Sequence, residues 1–401
     1  MDLVGGRALS SLAVGTLALF VVSLGYGVIV PLLPQLAGGR AATDETMLSA
    51  VYASYAITKI AMQIPGGVWA DRFGPERVAR WALVVFGVSL AAFLLPLGLE
   101  SFTLWRALEG AATGLVYPAC FAIAARGEPG APKDDEHMGR RMGFLGAIGT
   151  SGLLVGPALG GLLGEATELG PKLPLLVALG ATVVVTLLLF VRPSPPPTRA
   201  VEKTPAEAFR EIGALLKSGL FIALMLPIAF NKLTFSAFQG LLPLVGPDHL
   251  GLDVGGVTAL FVVTGLAFGL AQPIAGALAD RVDPRRVANA FALPLLGSLV
   301  AMGFLTNGWA FGAAYAGYIG SSSVIFTATL KHAATSTGDE RSYGGVFGVF
   351  GTATDLMTVV GPLLFLNLYP AMGLSLFWAM AAIGVPFAFA YAFLTRPRAH
   401  S

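Results

Sequence analysis

Gln63-Ile64-Pro65-Gly66-Gly67-Val68-Trp69-Ala70-Asp71-Arg72-Phe73-Gly74-Pro75-Glu76-Arg77-Val78-Ala79 returns 209 positions later as Gln272-Pro273-Ile274-Ala275-Gly276-Ala277-Leu278-Ala279-Asp280-Arg281-Val282-Asp283-Pro284-Arg285-Arg286-Val287-Ala288. The Gln, Gly, Ala, Asp, Arg, Pro, Arg, Val and Ala coincide in place. Each copy closes a long apolar segment and opens a basic loop. Repetition of that kind predicts a membrane protein made of two like-oriented halves, with movement of a solute along their interface.

The repeat extends on either side. Leu32-Leu33-Pro34 meets Leu241-Leu242-Pro243 at the same offset, and Gly156-Pro157 meets Gly361-Pro362 at an offset of 205. Composition agrees. Charged residues are 12% of the 401 and mean hydropathy is +0.75, where a soluble domain carries about a quarter charged residues. The 51 glycines suit close helix packing in a bilayer. The net charge of +2 names no partner, and no nucleic acid is expected. A single Cys120 excludes an intramolecular disulfide framework and a thiolate metal cluster. The first apolar stretch runs through Pro31 and Pro34, too long for a cleavable signal.

Windows of about 20 apolar residues predict twelve spans, near 8–33, 46–70, 77–98, 102–125, 141–164, 173–191, 218–246, 254–279, 286–306, 309–332, 343–368 and 372–394. Basic residues gather on one side. These are Arg7, Arg72, Arg77, Arg80, Arg126, Lys133, Arg140, Arg141, those of 192–217, Arg281, Arg285, Arg286, Lys331, Arg341, Arg396 and Arg398. Only Arg40 and Lys172 stand opposite. The positive-inside rule places both termini in the cytoplasm, and an even span count requires them on one side. The expected organisation is an N-terminal six-helix half (1–191), a cytoplasmic linker (192–217) and a C-terminal six-helix half (218–401). In the linker, Pro193 and Pro195 to Pro197 favour an extended piece. Glu202–Lys217 then reads as an amphipathic helix on the inner leaflet, with Phe209, Ile212 and Leu216 on one face.

Four stretches in order resemble a known family. Gly67 to Gly74 with Arg77 resembles the loop 2–3 signature of the major facilitator superfamily. Leu24-Gly25-Tyr26-Gly27 with Pro31 and Pro34 is similar to its span 1 signature, and Arg106-Ala107-Leu108-Glu109-Gly110 to its span 4 element. Gly152, Gly156, Pro157, Gly160 and Gly161 fit the Gly-x-x-x-Gly-Pro-x-x-Gly-Gly pattern of the antiporter branch. The resemblance implies an all-α integral membrane protein with twelve transmembrane helices in two pseudo-symmetric six-helix halves. It further implies a twelve-span, proton-coupled multidrug efflux antiporter of the inner (plasma) membrane, related to vesicular amine transporters. Its partners would be protons, the bilayer and a small organic substrate; it would be a monomer without cofactor or metal, driven by the proton gradient.

The loop residues Gly67, Asp71, Arg72 and Arg77, with Gly276, Asp280 and Arg281, are candidates for gating rather than for topology alone, because topology needs only positive charge. Asp71 is expected to accept backbone N–H groups at the start of a facing helix, which the resemblance makes span 11. Asp283 stands where the first copy has Gly74, a departure from the family pattern that weakens the case for equal gating by both loops. Gly152, Gly156, Gly160 and Gly161 make a smooth seam that Pro157 bends.

Five ionisable residues fall within spans: Lys59, Arg106, Glu109, Lys232 and Asp355. Each costs at least about 2.5–3.5 kcal/mol there and needs a partner or a wet cavity. Lys59 lies 12 residues before Asp71, and Asp355 lies 12 after Tyr343. Both therefore sit about 18 Å deep. The resemblance sets spans 2 and 11 side by side, so Lys59 and Asp355 are expected to pair, with Asp355 carrying the coupled proton. The alternative is a static bridge in a uniporter or in an exporter of an anionic, zwitterionic or lipid-like substrate. Arg106 and Glu109 share a face of span 4, and the resemblance gives Arg106 a part in proton transfer. Tyr52, Tyr55, Lys59 and Gln63 form one polar stripe. Asn231, Lys232 and Gln239 form a second, and Tyr315 and Tyr318 a third. Together they are the expected substrate cavity. No histidine pattern suits a metal or nucleophile, and no Gly-Lys-Ser/Thr phosphate loop exists, so neither an enzyme nor an ATP-driven pump is expected. A membrane sensor that kept the fold but not the flux is the remaining class.

Overall fold

A computed structural model describes residues 10–37, 45–95, 99–128, 134–164, 169–191, 205–337 and 342–395. These residues form thirteen α-helices: α1 (Ser11–Ala37), α2 (Glu45–Phe73), α3 (Pro75–Ala92), α4 (Leu99–Arg126), α5 (Met138–Gly164), α6 (Lys172–Val191), α7 (Pro205–Lys217), α8 (Gly219–Leu250), α9 (Val254–Arg281), α10 (Pro284–Met302), α11 (Gly308–Thr337), α12 (Tyr343–Met372) and α13 (Leu376–Leu394). Every one of the twelve expected spans falls on one long helix; α7 is the additional, amphipathic one.

Seven stretches are long and apolar enough to cross a membrane by length and composition, the last running Tyr343–Leu394 through α12 and α13. Helices α2, α3, α10 and α11 fall short of that measure. α2 carries Lys59 and Gln63, α3 and α10 open on basic residues, and α11 carries Ser321-Ser322-Ser323. α6 leaves Val183, Val184, Leu187 and Leu188 exposed along one face, a surface suited to lipid rather than water.

Turn chemistry separates the elements. Gly74 takes φ 92°, a backbone region that favours glycine, and Pro75 starts α3 where its missing N–H is not needed. The second copy solves the same turn differently. The Asp283 side chain accepts from Arg285 N at 2.8 Å as an N-cap, and Pro284 starts α10. Gly251, at φ 63°, ends α8.

The chain divides into two compact units. One is Met1–Asp134, Ile148–Pro205 and Asp339–Gly348; the other is Asp135–Ala147, Ala206–Gly338 and Val349–Ser401. The first turns of α5 thus belong with the second unit and those of α12 with the first. In the first unit α4 lies directly on α2. A Cβ on Gly110 would fall on the Tyr55 carbonyl, and one on Gly114 would come within 2.6 Å of the Lys59 carbonyl. The second unit is built around Phe238, Phe311, Tyr318, Phe365 and Phe377, all fully buried. On α7, Ile212 is buried while Phe209 and Leu216 are exposed. Pro193, Pro195–Pro197 and Glu202 lie outside the described residues, as do the basic residues Arg7, Arg40, Lys133, Arg192, Arg199, Lys203, Arg341, Arg396 and Arg398.

Candidate functional site

Each copy of the repeated motif holds a carboxylate that caps another helix. In the first unit Asp71 Oδ1 accepts from Gly344 N at 2.8 Å and Oδ2 from Gly345 N at 2.7 Å, in the first turn of α12. Arg126, closing α4, donates to Asp71 Oδ1 at 2.7 Å. In the second unit Asp280 Oδ1 accepts from Gly139 N at 2.7 Å and Oδ2 from Arg140 N at 3.0 Å, in the first turn of α5. Lys331 Nζ donates to Asp280 Oδ1 at 2.6 Å. A helix start exposes unpaired N–H groups and a partial positive charge, so a carboxylate there is doubly favoured. Hydrogen bonds to a charged group contribute about 1.5–3 kcal/mol each.

Glycines make the approach possible. A Cβ on Gly67 would strike the Gly344 carbonyl and one on Gly344 the Gly67 carbonyl; Gly276 and Gly139 repeat this reciprocal contact. One turn further, Gly348 lies on the backbone of buried Gln63, and Gly143 and Gly146 lie on buried Gln272. The two copies are thus built alike around their carboxylates, with Asp283 standing where the first copy has Gly74. Asp283 caps α10, and Asp280 keeps its place on α5. The Asp280 side chain is the more enclosed, 3% exposed against 17% for Asp71. Arg72, Arg77 and Arg281 are exposed at the loop surface, with Arg72 5.2 Å above the Phe73 ring. Besides Arg140, whose Nε stands 3.8 Å from Asp280, the cations on the two carboxylates are Arg126 and Lys331. Their spacing of 205 equals that of Gly156 and Gly361, a signal present in the sequence but read there as topology alone.

The expected small-residue seam packs on α1. A Cβ on Gly152 would lie 2.5 Å from the Phe20 carbonyl, and one on Gly156 2.6 Å from the Gly27 carbonyl carbon. Pro157 meets Gly27 from the same side, and Gly160 and Gly161 follow on the helix.

Within the first unit, the Gly110 and Gly114 contacts bring the polar face of α4 to α2. Arg106 and Glu109 pair at 2.7 Å, with side chains 1% and 0% exposed. The Arg106 guanidinium lies 4.5 Å from the Tyr55 ring centre and 5.3 Å from that of Tyr26, and those rings are 4.8 Å apart. Desolvated cation–π contacts contribute about 2 kcal/mol. The pair is therefore held by ring faces as well as by its own attraction. Among the described residues, Glu109 Oε1 and Arg106 Nε have no hydrogen-bond partner. Tyr52 donates to the Val30 carbonyl at 2.8 Å. The half-buried Lys59 ammonium lies 4.6 Å over the Tyr117 ring. Lys59 belongs to the first unit and half-buried Asp355 to the second. Tyr26 and Tyr117 were not anticipated as part of this site, although Tyr26 lies within the span 1 stretch.

In the second unit, buried Asn231 donates through Nδ2 to Ser322 O at 2.9 Å and to Ser322 Oγ at 2.7 Å. Lys232 lies over Phe326, Phe235 and Phe268 at 4.8, 5.3 and 5.9 Å. Gln239 is exposed further along α8. Tyr315 and Tyr318 differ from the expected cavity lining. They are 4% and 0% exposed, packed on Phe238 within the apolar core, with Tyr318 Oη and Thr234 Oγ1 2.7 Å apart. Their stripe on α11 is a packing face, which helical spacing alone does not distinguish from a cavity face. Among the described residues no cluster of His, Cys, Asp and Glu suits a metal ion.

Comparison with known proteins follows the same lines. The sequence profile of the Major Facilitator Superfamily matches residues 15–362 and, in a second placement, 228–401. The class D tetracycline resistance protein of Salmonella ordonez is 26% identical over 358 residues, 86% of this chain and 85% of its own length. The quinolone resistance protein NorA of Staphylococcus aureus is 25% identical over 235 residues, 58% of this chain and 57% of its own. Among solved structures, the E. coli fucose:proton symporter FucP superposes with a TM-score of 0.77 at 13% identity, covering 96% of this chain and 98% of that one. The human organic anion transporter MFSD10 gives 0.74 at 18% identity, covering 95% and 98%. At those identities the two structures speak for the fold alone.

Proposed function

The chain belongs to the major facilitator superfamily, and from that premise we propose that it is a proton-coupled antiporter that exports a small amphiphilic organic compound by alternating access. The observation that carries the coupling is the buried Arg106–Glu109 pair with Glu109 Oε1 unpartnered among the described residues. An acid at membrane depth that has one oxygen on an arginine and one open is built to exchange a proton for a charge partner. Protonation of Glu109 neutralises its half of the pair and slackens the hold on Arg106; deprotonation restores it. Export of drugs is supported by the tetracycline and quinolone resistance relatives. In this reading the bodies that rock are the halves 1–191 and 218–401, joined by 192–217. Breaking the Asp71 and Asp280 caps frees the first turns of α12 and α5. The protein works as a monomer in the plasma membrane, with both termini in the cytoplasm, on the proton gradient and without cofactor.

Proteoliposomes enclosing a pH indicator test the reading, with a tetracycline or a quinolone added across an imposed pH gradient. Wild type should move protons on addition of the compound, and Glu109→Gln should lose that flux while still exchanging labelled for unlabelled compound. Equal flux in Glu109→Gln and wild type refutes coupling through Glu109. Loss confined to Asp355→Asn would return the role to Asp355 and Lys59.

A further inference from the structure

α1 carries Pro31 and Pro34 within its last turns. Proline has no N–H, so Pro34 leaves the Val30 carbonyl, four residues back, without its helix donor. Inside a bilayer a carbonyl freed in this way needs a donor from a neighbouring element. The Tyr52 hydroxyl of α2 supplies it, donating to Val30 O at 2.8 Å. The two helices meet again one turn away. Tyr26, four residues before Val30, lies on Tyr55, three residues after Tyr52, with ring centres 4.8 Å apart. That turn of α1 is fixed from another side too, because Gly27 lies on the backbone of Leu153 and Gly156 in α5. The helix up to Val30 is therefore held by close packing. Beyond it, 31–37 joins a ladder that lacks the N–H groups of both prolines, which is where helices bend. Leu32 and Leu33 are buried, so this arm is docked, with the Tyr52 bond across its root.

The repeat shows that the bond is particular to the first unit. The offset of 209 sets Gln239 in the place of Val30, Pro243 in that of Pro34 and Phe261 in that of Tyr52. The second unit keeps the proline but has no hydroxyl at the position that would serve it.

We propose that the Tyr52 hydroxyl is the latch of a hinge in α1. Bonded to the Val30 carbonyl, it replaces the helix bond that Pro34 removes and keeps 31–37 docked. On its release the arm tilts about Val30, while the helix before Val30 stays on α2. A helix bond at this place would have to be rebuilt along the helix axis, whereas a side-chain hydroxyl lets go by one rotation. In the transporter reading, with the N-terminus cytoplasmic, the arm is the outer end of α1. The hinge itself does not depend on that reading, and hydrogen exchange without compound or gradient tests it alone.

The test is hydrogen exchange of the full chain in nanodiscs, read by mass spectrometry on peptides covering 14–26 and 32–37. Tyr52→Phe keeps the ring and removes the donor. It should speed exchange at 32–37 by about three- to tenfold, the worth of one neutral hydrogen bond, and leave 14–26 unchanged. Pro34→Ala and Pro34→Leu each return an N–H to the Val30 carbonyl, so each should slow exchange at 32–37. In either background Tyr52→Phe should then change nothing. Unchanged exchange at 32–37 in Tyr52→Phe overturns the proposal, as does an equal rise over 14–26, which would make Tyr52 a packing residue of the whole helix. An effect of Tyr52→Phe of the same size with and without the proline also overturns it, because the hydroxyl would then not be standing in for the missing N–H.

Discussion

Replacing Asp280 by Asn removes a carboxylate that accepts two backbone N–H groups and a lysine ammonium while only 3% exposed. An amide keeps one acceptor, but its NH2 cannot satisfy the second set of donors. Each charged hydrogen bond contributes about 1.5–3 kcal/mol, so the amides of Gly139 and Arg140 should lose roughly 10- to 150-fold of their protection from hydrogen exchange. Lys331, 7% exposed at the side chain, is left as a buried charge without its carboxylate, and breaking such a pair costs about 3–5 kcal/mol. The 3.8 Å approach of Arg140 Nε adds little, because that side chain is 47% exposed. Asp71→Asn is the internal control. Asp71 and Arg126 are 17% and 18% exposed, so solvent takes up part of the loss, and protection at Gly344 and Gly345 should fall by only about tenfold. The double variant Asp280→Asn/Lys331→Met should recover part of the stability, since it removes the orphaned charge. Hydrogen exchange read by mass spectrometry in nanodiscs resolves both helix starts. A larger loss in Asp71→Asn than in Asp280→Asn, or unchanged protection at Gly139 and Arg140, would refute the reasoning from burial.

Three further outcomes follow from the packing. Gly344→Ala drives a methyl into the Gly67 carbonyl and should cost about 1–3 kcal/mol, whereas Gly180→Ala meets nothing within 4 Å and should gain up to about 1 kcal/mol of helix stability. The rate at which buried Cys120, the only thiol, reacts with a fluorogenic maleimide on heating reads both. Arg106→Met strands Glu109 as a wholly buried acid and should destabilise by about 3–5 kcal/mol, and the double variant with Glu109→Gln should be more stable than Arg106→Met alone in the same thiol assay. Thr234→Val deprives the Tyr318 hydroxyl of its 2.7 Å partner and should cost about 1–3 kcal/mol, visible as faster Cys120 labelling with no change in bound substrate.

What the sequence disclosed and what it withheld divide along physical lines. Long apolar windows and the repeat at 209 located the twelve long helices, because a bilayer admits few other solutions. That Asp71 caps a facing helix was legible because an acid at a helix start meets unpaired N–H groups; that the helix is α12 was implied by the family resemblance alone. Pairings set by three-dimensional approach were not. Arg126 and Lys331 looked like topology charges, since a cation closing a span serves either purpose. Tyr26 entered the Arg106 site only once α1 was placed against α2 and α4. Tyr315 and Tyr318 have the spacing of a polar stripe yet face the core, because a helix carries several faces and periodicity does not say which one is wet. The three phenylalanines around Lys232 come from three helices, and no local pattern joins them.

The central claim is that Glu109 exchanges a proton as the substrate binds. Its most direct test counts protons released to a pH indicator when the transported compound saturates the purified protein in weakly buffered detergent. Wild type should release protons over the pH range in which transport runs, Asp355→Asn should do likewise, and Glu109→Gln should release none while still binding the compound. Proton release by Glu109→Gln equal to that of wild type would contradict the account.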